Sequence, residues 1–364
     1  MRVEQLRASV FRVPTDAPSA DGTARWEETT VVVVEAVSDS GLVGTGYTYG
    51  EAAAAALVTG VLAGAVVGRD VAQVRGAWRA MVASLRNAGR PGIGATAVSA
   101  VDVALWDLRA RAAGQPLFEH LGAARSEVPV YGSGGLTSYT QARLVEQLSG
   151  WAEAGIPRLK MKVGKDWGQS QEEDLARAAA VRSAVGPGPE LFVDANGAYT
   201  AKQAVRLARR FGELGVTYFE EPVSADDLPH LAAVRAQTAL DVAAGEYGYG
   251  PWYFQRMLSA GAVDILQADA TRCLGVTGWM MAADLAYAAQ VPFSAHCAPA
   301  LHAQLGCAAP QISHLEYFHD HVRVESMLFE GAPAPQGGSL RPDPAQPGLG
   351  LRLKTPEAER WRAA

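Results

Sequence analysis

From Val128 onward the chain alternates between short apolar runs rich in β-branched or aromatic residues and longer segments with helical periodicity. The strand-like runs fall at 128–132, 158–163, 190–194, 216–220, 240–244, 263–267, 291–295 and 314–317, with helical patterns between most of them. The segment "YTAKQAVRLARRFGELG" is representative. Thr200 and Gln203 fit a capping box, and Gly215 fits the C-terminal stop. Alternating βα units imply a parallel sheet covered by helices. Eight of them over about 190 residues suit a modified (β/α)₈ barrel with an atypical last unit. A doubly wound sheet competes, but it would carry a glycine-rich phosphate turn after an early strand, and none is present.

The first third follows another pattern. "TTVVVVEAVSDSGLVGTGYTYG" reads as a strand, a hairpin at "SDSG" and a second strand; 51–122 is helical, punctuated at Pro91-Gly92. The polar segment "TDAPSADGTARWEE" reads as a loop. The expected organisation is an α+β capping domain over 1–125, a barrel over 126–325, and a Pro- and Gly-rich segment, 326–364, that folds back onto the capping domain.

The uncharged run from Ala52 to Gly68 is mostly Ala, Val and Gly, weak and short for a membrane span, so it reads as a buried helix. The N-terminal "MRVEQLRASVFRV" lacks the apolar core of a signal peptide. A net charge of −6 without any basic run argues against a nucleic-acid partner. Cys273, Cys297 and Cys307 show no paired or metal-finger spacing, which suits a reducing cytosol and three buried small hydrophobes. These readings point to a cytoplasmic chain with no membrane partner.

In a barrel, catalytic side chains sit at the C-terminal ends of strands. "LFVDANG" ends in Asp194, "VTYFEEP" in Glu220 and "DVAAGE" in Glu246, each 26 positions after the last, or one βα unit. Singly, each acid reads as a helix cap or the partner of a surface lysine. Three on successive strand ends would repel one another unless a cation joined them, and an all-oxygen set suits a hard ion such as Mg²⁺. Glu221 is one residue out of phase and should point away. Asp269 and His296 lie one further unit apart, and a carboxylate beside an imidazole fixes its tautomer and makes it a base or an acid. The other histidines read as ordinary hydrogen-bonded residues. "LKMKVG" places Lys160 and Lys162 on one side of its strand; inward, at this rim, Lys160 and a nearby metal cation would both favour the neutral form of Lys162, and Lys160 could also hold an anionic substrate group.

With these residues in place the chain resembles the enolase superfamily, specifically its mandelate racemase subgroup, over nearly its whole length. "SAVDVALWDLRARAAGQPL" resembles the helix joining cap and barrel, and "KMK" the Lys-x-Lys motif. "VDAN", "FEEP" and "GE" resemble the three ligand motifs. Asp269 with His296 resembles the dyad, and Glu316 the acid on the eighth strand. The resemblance implies Asp194, Glu220 and Glu246 as ligands of one Mg²⁺ per subunit, with Mn²⁺ as its substitute. It implies Lys162 as the base on one face of a carboxylate substrate and His296 as base or acid on the other. Lys160 and a protonated Glu316 would contact the substrate carboxylate, with Asn196 nearby. Arg272 stands where many relatives carry lysine and receives no role.

The reaction implied is removal of the proton α to a carboxylate, giving an enediolate. Loss of water from a sugar acid comes first, racemisation or epimerisation of a 2-hydroxy acid second, and cycloisomerisation of a sugar-acid lactone or anhydro sugar third. A catalytically silent binding barrel is the reading from another class. Trp26 and Tyr47, in the segments expected to close the site, are candidates for reading the substrate's distal end, as are Arg25 and Tyr49. A homo-oligomer, from dimer to octamer, is also expected from the family.

Overall fold

In the computed structural model, which describes residues 1–363, the chain opens with an antiparallel sheet of β1 (Val3–Ala20), β2 (Arg25–Ser38) and β3 (Val43–Tyr49). The polar segment expected as a loop is instead the far half of the β1–β2 hairpin. After a register shift beyond Pro14, Ser19 pairs with Trp26 and Ala20 with Arg25. Polarity misled because this stretch extends beyond the core, so its strands have no apolar face to declare them. Pro14 and Pro18 are tolerated because β1 is an edge strand, whose outer N–H groups need no partner.

β2 carries the β-branched run, with Val31 to Val34 buried on both faces of the sheet, one of which packs against the helix Ile93–Ala112. That helix is buried along most of its length because it is clasped from three sides. Ser99 accepts hydrogen bonds from the backbone N–H of Leu274 and Gly275 (2.9 and 3.0 Å), and Asp102 from that of Thr277 (2.8 Å). These tie it to the start of the barrel helix Gly275–Ala288. On another side Asp107 accepts from Thr45 N–H in β3 and Leu349 N–H in the C-terminal segment. The Ala52–Gly68 run forms short helical turns through Val66, and among the described residues no helix is long and apolar enough to cross a membrane.

The eight strand-like runs all appear: β4 (Val128–Gly134), β5 (Arg158–Lys162), β6 (Glu190–Asp194), β7 (Val216–Glu220), β8 (Asp241–Ala244), β9 (Ile265–Ala268), β10 (Phe293–Ala295) and β11 (Ile312–Phe318). They pair in order, all parallel, and β11 closes on β4 through Glu316 opposite Tyr131. The predicted Thr200–Gln203 capping box is present. An aromatic plug of Tyr131, Phe192 and Tyr218 fills the barrel, and Gln267 donates to the hydroxyls of Tyr131 and Tyr218. It forms the floor on which the polar residues of the rim stand. The C-terminal segment touches both layers: Ser339–Leu340 pairs with β4, while Ala363 N–H donates to Val10 in β1.

Where β3 meets the helix His319–Leu328, Tyr47 donates to Glu325 (2.6 Å), and both are buried. Burial pushes the Glu325 carboxyl up to about 8, against the opposing pull of the Tyr47 hydroxyl and the Ala300 N–H. A carboxyl whose folded pKa is raised holds its proton longer than in the unfolded chain. Stability from this group is therefore lost as pH rises from about 4.5 through about 8. Glu325→Gln should remove that loss, so the Tm difference between variant and wild type should move in the variant's favour as pH rises across this window. A pH-independent difference in thermal melts would show that Glu325 is not charged by this route.

Candidate active site

Strand register brings the sequence-separated acids and lysines to one level. Lys162 pairs with Asp194 across β5–β6, and Asp194 with Glu220 across β6–β7. Glu246 follows Gly245, where the backbone (φ 140°) passes so close to β9 that a Cβ would lie 2.0 Å from the Gln267 carbonyl. Only glycine permits this turn, which sets Glu246 beside the other two acids. One carboxylate oxygen from each of Asp194, Glu220 and Glu246 lies within 4.8 Å of the others, and the residues are 0, 0 and 3 % exposed. Glu220 Oε1 and Glu246 Oε2 are buried without any hydrogen-bond partner. Orphaned carboxylate oxygens are costly to bury. Their convergence, with oxygen as the only donor type, fits a hard dication such as Mg²⁺.

Both lysines point inward, as their spacing predicted, but their electrostatics differ from expectation. Lys160 is fully buried, with Nζ 2.6 Å from Glu220, 2.7 Å from Glu316 and 3.2 Å from Asp194. Lys162 Nζ reaches Asp194 Oδ2 at 2.5 Å. Burial disfavours each ammonium, yet the surrounding carboxylates outweigh it and hold both lysines above the usual range. Lys160 does lower Lys162, but Asp194 raises it more. Between these residues alone, the pull of Asp194 thus outweighs the push of Lys160 on Lys162. Lys160's three carboxylate partners also leave it enclosed rather than facing an open space where a substrate carboxylate could meet it.

Glu316 likewise departs from expectation. Burial opposes its charge, but Lys160 and His296 hold its carboxyl well below the usual range. Ser133 Oγ donates to its Oε1 at 2.6 Å and Cys297 N–H to its Oε2 at 2.9 Å. It is therefore an ionised acceptor here, not the protonated donor anticipated.

The dyad is formed. His296 Nδ1 lies 2.9 Å from Asp269 Oδ2, and Asp269 Oδ1 accepts from both the N–H and the hydroxyl of Thr271 (2.7 Å each). Burial works against the Asp269 charge, but the bond from His296 and the charges of His296 and Arg272 keep it below the ordinary range. An ionised carboxylate only accepts, so Nδ1 carries a proton and Nε2 is the ring nitrogen that faces the site. Nε2 stands 3.3 Å from Glu246 Oε2. Arg272, without a role in the sequence reading, joins the two groups: it lies 3.2 Å from Glu246 and 3.7 Å from Asp269.

The remaining candidates divide. Asn196 (φ 45°) donates its N–H to Asp194 Oδ1 (3.0 Å), and its own Oδ1 is buried and unpartnered. Trp26 packs with Leu136, Tyr139, Phe318 and Cys297, the residue after His296. Tyr47 is corrected: it is fully buried and bonded to Glu325, so it has no open face for a substrate. Glu221 does not turn away. The backbone is left-handed there (φ 36°), which ends the strand alternation, and burial together with Glu246 and Asp194 pushes its carboxyl well up.

The hairpin tip lies over this rim. Gly22 sits so near the turns after β5 and β6 that a Cβ would be 2.6 Å from the Ala195 carbonyl and 3.0 Å from that of Val163. Thr23 Oγ1 donates to the Asn196 carbonyl (3.3 Å). Two cavities flank the tip. One, of about 1170 Å³, runs between the hairpin, Tyr139 and Trp167. The other, of about 880 Å³, is bounded by Asn196, Glu221, Tyr247 and Trp252. Ser133 and Thr271, which donate to Glu316 and Asp269, are absent from the sequence reading, and their only sequence signal is a position at or just past a strand end.

Comparison with known proteins bears on this geometry. The family described as mandelate racemase / muconate lactonizing enzyme, N-terminal domain, matches residues 6–122, and the family described as enolase C-terminal domain-like matches 143–358. A D-galactarolactone cycloisomerase from Agrobacterium fabrum is 35 % identical over 79 % of this chain and 76 % of its own. The crystal structure of a mandelate racemase/muconate lactonizing enzyme-like protein from Rubrobacter xylanophilus is 51 % identical, covers 100 % of both chains and superposes with a TM-score of 0.96. L-talarate/galactarate dehydratase from Salmonella typhimurium LT2, liganded with Mg and L-lyxarohydroxamate, is 27 % identical, covers 100 % of this chain and 93 % of its own, and has a TM-score of 0.91.

Proposed function

Because the chain belongs to the mandelate racemase/muconate lactonizing enzyme family of the enolase superfamily, we propose that it removes the proton α to a sugar-acid carboxylate and then expels the β-hydroxyl as water. The observation that carries this is the placement of Lys162 on one side and the Asp269–His296 dyad on the other side of a buried three-acid cluster. Asp194, Glu220 and Glu246 would hold one Mg²⁺. An ion held by them would supply positive charge that favours negative charge on the substrate carboxylate.

The protein's own residues divide the remaining work. Lys162, once its ammonium has given a proton to solvent, would take the α-proton on the neutral amine. Its position in the layer above the fully enclosed Lys160 makes it the lysine that meets the substrate. Lys160 positions Glu220 and Glu316 rather than reacting. His296, its Nδ1 held by Asp269, carries a proton on Nε2 to the departing hydroxyl. Asn196, with its unpartnered Oδ1, accepts from a substrate hydroxyl, and the hairpin tip with Trp26 limits the entry of water.

A panel of sugar acids assayed with Mg²⁺ for 2-keto acid formation tests this reading. Turnover of lactones or anhydro sugars without loss of water would replace it with cycloisomerisation, third in the sequence reading, which the Agrobacterium relative favours. Exchange of the α-proton in D₂O without keto acid would favour epimerisation.

Metal binding has its own readout. A ligand at about 100 times its Kd stabilises the folded state by about 2.7 kcal/mol, so Mg²⁺ should raise Tm by several degrees. Asp194→Asn should abolish that shift. An unchanged Tm in wild type would support the silent-barrel alternative. Mn²⁺ should substitute in both assays. We also infer a homo-oligomer, which light scattering would test.

A further inference from the structure

We propose that His296, Cys297 and Glu316 form a second cation site, selective for a soft divalent ion of the Zn²⁺ type, and that its occupation switches the enzyme off. The inhibitory half rests on the role given above to His296; the binding half does not.

Cys297 follows His296 at a left-handed backbone position (φ 52°), which brings two consecutive side chains to one place. Cys297 Sγ lies 3.3 Å from His296 Nε2 and 3.3 Å from Glu316 Oε2, and the third edge, Nε2 to Oε2, is 3.7 Å. Zinc bonds of about 2.3 Å to sulfur and about 2.0–2.2 Å to nitrogen and oxygen give tetrahedral ligand–ligand edges of about 3.3–3.6 Å. The triangle therefore already has nearly the dimensions of three corners of a zinc site. All three residues are buried.

A further observation points to a ligand there. Asp269 accepts from His296 Nδ1 and leaves Nε2 facing the cluster, the carboxylate–histidine arrangement that orients imidazole ligands in zinc sites. Donor chemistry then separates the two sites. Three carboxylates suit a hard ion, whereas thiolate and imidazole favour a softer one. Coordination converts the thiol to thiolate and takes up an unprotonated Nε2, and the protons these atoms carried leave to solvent. With the ion bound, His296 Nε2 is engaged, so His296 is lost to the sugar-acid reaction.

The test uses the Mg²⁺-saturated enzyme. Zn²⁺ should inhibit in competition with the sugar acid, and added Mg²⁺ should not relieve the inhibition. Cys297→Ser should retain Mg²⁺-dependent turnover while raising the Zn²⁺ concentration for half-inhibition by more than about tenfold. Co²⁺ added to wild type should give a sulfur-to-cobalt charge-transfer band that persists in Cys273→Ser and Cys307→Ser and disappears in Cys297→Ser. Cys297→Ala serves if the serine variant does not fold. Relief by Mg²⁺, unchanged inhibition in the Cys297 variants, or a missing band in wild type would overturn the proposal. Because the band needs no substrate, it decides the binding half even if no sugar acid is turned over.

Discussion

Lys162→Ala is expected to lower kcat/KM by about 10²–10⁴-fold, the usual contribution of a positioned general base, and to leave the fold intact. The loss should be chemical because the structure compensates for the missing charge. Asp194 keeps Lys160 at 3.2 Å and accepts the Asn196 N–H at 3.0 Å, so the truncation does not orphan a buried carboxylate. The contrasting variant is Lys160→Ala. Its ammonium balances Glu220, Glu316 and Asp194 together. Breaking a buried ion-pair network by removing one member typically costs about 3–5 kcal/mol. Lys160→Ala should therefore lose Tm as well as activity, whereas Lys162→Ala should lose activity alone. The direct readout is α-proton exchange in D₂O with Mg²⁺ present. Wild-type exchange in Lys162→Ala would remove it from the role of base.

His296→Asn should separate the two halves of the reaction. The asparagine amide can still donate to Asp269, so the pocket keeps its shape, but no group remains to protonate a departing hydroxyl. Keto-acid formation should fall by about 10²–10⁴-fold, while α-proton exchange continues through Lys162. If exchange and keto-acid formation collapse together, His296 is the abstracting base and the assignment of faces must be exchanged. Asp269→Asn should act in the same direction through the imidazole. It removes the acceptor that holds the proton on Nδ1, so the pH profile should shift along with the rate.

Much of this site could be read from residue spacing because a barrel turns sequence period into spatial position. One βα unit separates Asp194 from Glu220, and the strand register sets them side by side. Asp269 and His296 meet for the same reason, across β9 and β10. The hairpin tip was not legible. Its strands extend past the core and pair with each other, so neither apolar alternation nor burial marks them. Tyr47 shows the reverse limit: an aromatic near the end of a strand gives no sign of whether solvent or Glu325 receives its hydroxyl.

Sequence alone determined the closed barrel with its cap, the inward pair of lysines, the three-acid cluster and the dyad, because each follows from strand periodicity and the length of one repeating unit. Tertiary structure decided the charge states and the partners. Three carboxylates around Lys160 and one on Lys162 overrule the mutual repulsion of the lysines, and Lys160, together with His296, keeps Glu316 ionised. Left-handed turns at Glu221 and Cys297, where strand alternation ends, bring two further side chains to the rim. These outcomes depend on distances of a few ångströms between residues far apart in the chain, and in a buried site such distances set the energies of charges.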